Sequence, residues 1–191
     1  MINKLCRLFL LVMCIMLFIT ACGSNVGQNK SSNLIKDTPR IYREILAGFE
    51  VEDLNGKKVT DKLIKNTKYT LVTLWGTDCQ ACIKQMEPLQ KIYEKYKSGN
   101  FGVLGIMIDS VDDYGKIDSK KIREGREIIK KAKVNYQNIT MPNSVKETVL
   151  KDIISLPVCF VVDNKGNVVS EIITGSYDYK AWEKILDDII D

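Results

Sequence analysis

The chain has 191 residues, 45% of them hydrophobic and 27% charged, which is the composition of one globular domain with a further segment at an end. Its 28 basic residues barely exceed its 24 acidic ones, and it has no basic arm and no aromatic-basic stripe, so a nucleic-acid role has no support. Histidine is absent throughout, which excludes Cys-His and Ser-His-Asp nucleophile systems and any His-ligated zinc or copper site.

Met1 to Ala21 opens with Lys4 and Arg7, continues as the apolar run LFLLVMCIMLFIT and contains no acid, the layout of a secretory signal peptide. The run is short for a spanning helix, which needs about 20 apolar residues. Ile19 to Cys22, "ITAC", resembles the bacterial lipobox, an aliphatic residue and two small ones before a cysteine that becomes lipid-modified and N-terminal; the alternative is an uncleaved anchor ending near Cys22. Either way the expectation is an extracytoplasmic body held at the cell membrane, with Cys22 as the contact with the lipid bilayer. Removal of 1–21 takes away only Lys4 and Arg7, so the net charge falls from +4 to about +2.

The polar stretch CGSNVGQNKSSNLIK that follows has no periodicity and reads as a flexible tether, assigned to 22–44. About 15 such residues span roughly 21 Å. The domain proper is assigned to 45–191. Phe49 to Thr60 alternates apolar and polar residues around Asn55-Gly56, a hairpin signal. Tyr69 to Trp75 has the composition of a buried strand. After Cys82, apolar residues Ile83, Met86, Leu89, Ile92, Tyr93 and Tyr96 recur at helical spacing.

Phe101 to Ile108 reads as a second buried strand. SKKIREGREIIKKAK reads as an amphipathic surface helix interrupted by Gly125, and Ser144 to Ile153 as a shorter helix. VCFVVDNKGNVVSEII reads as a hairpin turning at Asn164, Lys165 and Gly166, and the closing YKAWEKILDDII carries Trp182, Ile185, Leu186 and Ile189 on one helical face. Strands joined through helices imply parallel neighbours at the centre of an α/β mixed sheet covered on both faces, with the late hairpin adding an antiparallel pair.

WGTDCQAC after a strand, Ser155-Leu156-Pro157 shortly before the late hairpin, and VEDLNGKKVT upstream together resemble the thioredoxin-like family of membrane-tethered thiol–disulfide oxidoreductases of the TlpA/ResA type, over roughly residues 45–190. The resemblance implies a thioredoxin-like fold with an N-terminal β-hairpin extension and redox exchange by Cys79 and Cys82. It implies a cis Pro157 facing the CxxC, and a surface of Leu156, Pro157 and Trp75 for a docking substrate strand. The implied partners are exported protein thiols and disulfides, with electrons from a membrane reductant of the CcdA type. No cofactor beyond the cysteine pair and no metal is implied.

The spacing has a physical reason. The first turn of a helix has unpaired N–H groups and the positive end of the dipole, so a sulfur placed there, Cys79, is favoured as thiolate. Cys82, three residues on, lies on the same face within reach for a small disulfide and would resolve the mixed disulfide. A permanent structural disulfide and half of a metal site are the alternatives; a four-cysteine zinc site would need a second close pair. Cys159, in the apolar run VCFVV, is either a small core residue or a third redox thiol.

Three positions depart from the resemblance. Thr73 stands where thioredoxins have a buried Asp, Gln85 where the ResA-like group has a Glu, and Pro88 falls one residue later than the family's helix proline. The usual proton acceptor is thus missing; Glu87, Asp78 or solvent remain, and Asp78 beside Cys79 would oppose thiolate formation by like charge. Two other readings compete. A peroxidase of the peroxiredoxin type needs PxxxTxxC, but Val72 and Gly76 occupy its first two fixed positions. A thioredoxin-fold copper chaperone pairs CxxxC with a histidine, which this chain lacks.

Overall fold

The computed structural model describes residues 42–190. The segment expected to be a signal peptide, Cys22 and the expected tether up to residue 41 lie outside the described residues. Among the described residues no helix is long and apolar enough to cross a membrane.

The first hairpin pairs β1 (Glu50–Glu52) with β2 (Lys58–Thr60) in a separate two-stranded sheet, with the Asn55-Gly56 turn between them and Gly56 at φ 83°. A short helix, α1 (Lys62–Lys65), leads into β3 (Tyr69–Trp75), and then follow α2 (Gln80–Tyr96), β4 (Phe101–Met107) and α3 (Ser119–Lys131). The chain closes through β5 (Gln137–Thr140), α4 (Asn143–Glu147), β6 (Val158–Asp163), β7 (Ile173–Thr174) and α5 (Tyr179–Ile190). The five-stranded sheet has the order β5-β4-β3-β6-β7, with β3, β4 and β5 parallel and β6 and β7 antiparallel to their neighbours. This is a mixed central sheet with an N-terminal hairpin, the thioredoxin-like arrangement.

Alternation along the strands divides the core in two. Leu71, Trp75, Val103, Met107, Cys159 and Val161 meet Cys82, Met86, Leu89 and Ile92 of α2, Ile122 of α3, and Trp182 and Leu186 of α5. On the opposite face Val72, Leu74, Leu104, Ile106, Phe160 and Val162 meet Ile45, Leu46, Phe49, Ile64, Val145 and Val149. Helices therefore cover both faces. The segment at 42–46 is pinned to the β6 turn: Val168 N–H donates to the Tyr42 carbonyl at 3.0 Å and Glu44 N–H to Asn167 Oδ1 at 3.0 Å. Gly166, at φ 86°, leaves room for that segment, because a Cβ there would lie 2.8 Å from the backbone of Leu46 and Ala47.

One strand is added to the sequence expectations and three of them are corrected. β5 has no counterpart in the sequence reading, because QNIT is short and half polar and becomes a strand only by pairing with β4. Gly125 does not interrupt α3; it is buried, and its missing side chain lets the helix approach Met107 and Trp75. Residues 144–153 form no single helix, since Thr148 at φ −116°, ψ −85° separates α4 from a 3₁₀ turn over Val149–Asp152. The return strand of the late hairpin is broken, with one bridge at Val162–Val168 and then only the two residues of β7.

Candidate active site

Cys79 is the N-cap of α2, with extended backbone at φ −89°, ψ 93°. Its N–H donates to the Gly76 carbonyl at 3.1 Å, closing the turn that leads out of β3. Its sulfur accepts from the Cys82 N–H at 3.1 Å, one of the donors that a helix N-terminus leaves unpaired. Cys79 and Cys82 form a disulfide with a Cα–Cα distance of 5.2 Å. Cys79 is half-buried and Cys82 is 3% exposed, so the first sulfur is the one an incoming partner reaches and the second stays behind it. That asymmetry suits a nucleophile with a resolving thiol.

The Leu156–Pro157 peptide bond is cis. In the antiparallel β3–β6 pair Leu74 faces Val158, so the next step of the register brings Pro157 beside Trp75, at the end of β3 from which the cysteine turn departs. Leu156 is half-buried and packs against both core clusters, and Ile154 just before it is fully exposed. Trp75 does not fit the docking role assigned with Leu156 and Pro157. It is 1% exposed and its indole N–H donates to Asn138 Oδ1 at 3.0 Å, because strand alternation turns the ring inward toward α3.

One turn along α2 from Cys82, Gln85 belongs to a small buried polar group. Thr73 faces Cys159 across the β3–β6 ladder, and Gln85 of α2 donates from Nε2 to the Cys159 sulfur at 3.3 Å. Gln85 Oε1 accepts from Tyr177 N–H at 3.2 Å. Burial pushes the Cys159 thiol from 9.0 up to about 12, against a smaller opposing pull from the hydrogen bonds of Thr73 and Gln85. Fully buried, with its thiol held protonated at neutral pH, Cys159 packs as a small core group.

Around the turn the charges are organised by a residue that the sequence reading did not single out. Lys121, in the first turn of α3, places its ammonium 2.7 Å from Asp78 Oδ2 and 2.7 Å from Thr77 Oγ1. It also lies 3.6 Å from Asp109 Oδ2 and 3.6 Å from Glu124 Oε2. The hydrogen bond and charge of Lys121 hold the Asp78 carboxyl below its ordinary range. Asp109 Oδ2 accepts in turn from the Thr77 N–H at 2.9 Å. Glu87 points away on the solvent face of α2, paired with Lys91 at 2.8 Å. Lys121 stands 42 residues from Cys79 within a run dense in lysine and arginine, so no local pattern marks it. Among the described residues no group of three or more His, Cys, Asp or Glu side chains is gathered to hold a metal ion.

Fold and site together define a thioredoxin-like protein with a disulfide at a helix N-terminus, backed by a cis-proline. A family profile described as AhpC/TSA matches residues 43–171, more than half of the chain, and the chain belongs to that family. It is 28% identical over 173 residues to the thiol-disulfide oxidoreductase ResA of Bacillus anthracis, covering 87% of this chain and 88% of that protein. With ResA of Bacillus thuringiensis subsp. konkukian it shares 29% identity over 128 residues, and the match spans 65% of each chain. Among solved structures, a thiol:disulfide interchange protein of the thioredoxin family from Chlorobium tepidum superimposes with a TM-score of 0.61 at 17% identity, covering 76% of this chain and 94% of that one.

Proposed function

We propose that the chain is a thiol–disulfide oxidoreductase that works outside the cytoplasm as a reductase, tethered to the membrane through Cys22. The observation that carries the reading is the accessible Cys79 at the N-cap of α2 with buried Cys82 directly behind it. In the reduced protein the Cys79 thiolate attacks one sulfur of a client disulfide, forming a mixed disulfide and releasing the client's other sulfur as thiolate, which takes up a proton. The Cys82 thiol then gives up its proton, attacks Cys79 and expels the remaining client sulfur. The client gains two electrons and two protons, and the Cys79–Cys82 disulfide is left. A dithiol supplied from the membrane, of the CcdA type, returns it to the reduced form.

The clients are exported proteins with cysteine pairs, and half-buried Leu156, just ahead of the buried Pro157, offers the edge along which an extended client segment would lie. Thiol labelling after equilibration with dithiol buffers tests the couple, which should titrate between about −270 and −120 mV, the span of known CxxC proteins. A pair that stays unreactive across that span would sink the reading. A Cys82→Ser variant should accumulate client adducts on Cys79, identifiable by mass spectrometry.

The AhpC/TSA family name keeps a peroxidase reading in view. Against it stand the CxxC disulfide and the positions of Val72 and Gly76, where a peroxidatic pattern would have Pro and Thr. Turnover of hydrogen peroxide by the purified protein with a dithiol reductant, at a rate above that of the reductant alone, would favour it.

A further inference from the structure

We propose that Lys121 is a positioning residue for Cys79, holding the Thr77–Asp78 turn and offsetting part of the negative charge gathered there, beside which the reduced sulfur must ionise. The proposal rests on the reading of Cys79 and Cys82 as a redox pair.

Three carboxylates lie around this ammonium: Asp78, immediately before Cys79; Asp109 at the end of β4; and Glu124 one turn along α3. Lys120 pairs with Glu124 at 3.8 Å, and Asp118 is occupied in capping α3 through the N–H groups of Lys120 and Lys121. Among the described residues, Lys121 is therefore the cation that touches Asp78 and Asp109 together. Removing it would leave uncompensated negative charge on the turn whose next residue must carry a thiolate, and like charge raises a thiol pKa.

The placement is built into the packing. Asp118 fixes the start of α3, Ile122 is buried next to Lys121, and Gly125 seats the helix against Met107 and Trp75. The Lys121 side chain is only 24% exposed, while Asp78 is 91% exposed, so the lysine reaches outward from a fixed base to a carboxylate in solvent. Exposed ion pairs couple weakly. The expected effect is accordingly modest, about a two- to fivefold change in the thiolate fraction at neutral pH, an upward shift of about 0.3–0.7 pH units in the midpoint.

The test is the pH profile of iodoacetamide alkylation of the reduced full chain, read by mass spectrometry on the peptide carrying Cys79. Because a less acidic thiol gives a more nucleophilic thiolate, the midpoint decides and not the rate alone. Lys121→Met should raise the midpoint, Lys121→Arg should restore it, and Asp78→Asn should lower it. The double variant Asp78→Asn, Lys121→Met should return toward the parent. A Lys121→Met midpoint within about 0.2 pH units of the parent, or a rise with Asp78→Asn, overturns the proposal. If Lys121→Met does not fold, the Asp78→Asn and Lys121→Arg profiles decide in the same way. Failure of the parent Cys79 to alkylate after reduction is a different result and would instead remove the redox reading.

Discussion

The amide nitrogen of Gln85, one turn along α2 from Cys82, lies 3.3 Å from the sulfur of Cys159 and joins α2 to β6. Gln85 is 1% exposed and Cys159 is fully buried, so the contact is sealed from water. It defines what the floor of the site can do: a neutral donor faces a protonated thiol, and neither accepts a proton readily.

The first prediction concerns that thiol. Its folded-state pKa, raised from 9.0 to about 12, means that the unfolded chain loses the proton first as pH rises. Stabilisation from the protonated thiol is complete below pH 9 and is lost as the pH climbs toward 12, at about 1.4 kcal/mol per pH unit for one proton. Cys159→Ala should flatten the fall in stability between pH 9 and 11, measured from urea unfolding at each pH, and cost roughly 1 kcal/mol at pH 7 for the lost packing. Parallel falls in the two proteins would show that the thiol does not govern this range.

Gln85→Glu tests the floor from the other side. A carboxylate cannot donate to Cys159, and a buried ionised one is costly, so the variant should lose about 1–3 kcal/mol of stability at pH 7. Desolvation should raise the new group's pKa well above that of an exposed carboxylate. A new ionisation should then enter the pH profile of disulfide exchange, one that the parent lacks. Identical profiles in parent and variant would mean that this position is not coupled to the redox pair.

Much of the fold is legible because its signals are local. The run YTLVTLW coincides with β3, and YKAWEKILDDII, with Trp182 and Leu186 inward, is α5. The cysteine pair and Leu156-Pro157 are legible for the same reason, since a short motif beside a buried strand carries them. What the sequence hides depends on partners far along the chain. Asn138 carries no signal of its own until β5 pairs with β4 and the indole of Trp75 donates to it. Lys121 is one lysine among many until α3 is set down beside the Thr77–Asp78 turn.

Gly105→Ala probes the first of those hidden contacts. A Cβ on Gly105 would fall 1.9 Å from Asn138 Oδ1 and 3.1 Å from Trp75 Nε1. Asn138 would have to leave, and the buried indole N–H would lose its acceptor. The combined strain and unmet donor should cost roughly 2–4 kcal/mol, read from chemical denaturation. A loss below about 1 kcal/mol would mean that the strand yields without breaking the pair.

Asp118→Ala separates the support of α3 from the charge of Lys121. Asp118 accepts from the N–H groups of Lys120 at 2.9 Å and Lys121 at 3.0 Å, and these bonds, with the two lysine charges, hold its carboxyl below the ordinary value. A depressed folded-state pKa gives stability that is present above 3.8, the ordinary value, and is lost as pH falls through the lower folded value. Removing the cap should therefore lower the melting temperature by about 2–4 °C at pH 7 and by progressively less as the pH falls below 3.8. Asp118→Asn keeps an acceptor oxygen and should recover most of that loss. If Asp118→Ala also raises the Cys79 midpoint while Asp118→Asn leaves it in place, the cap acts on the site by fixing where Lys121 stands, since both variants remove the same charge.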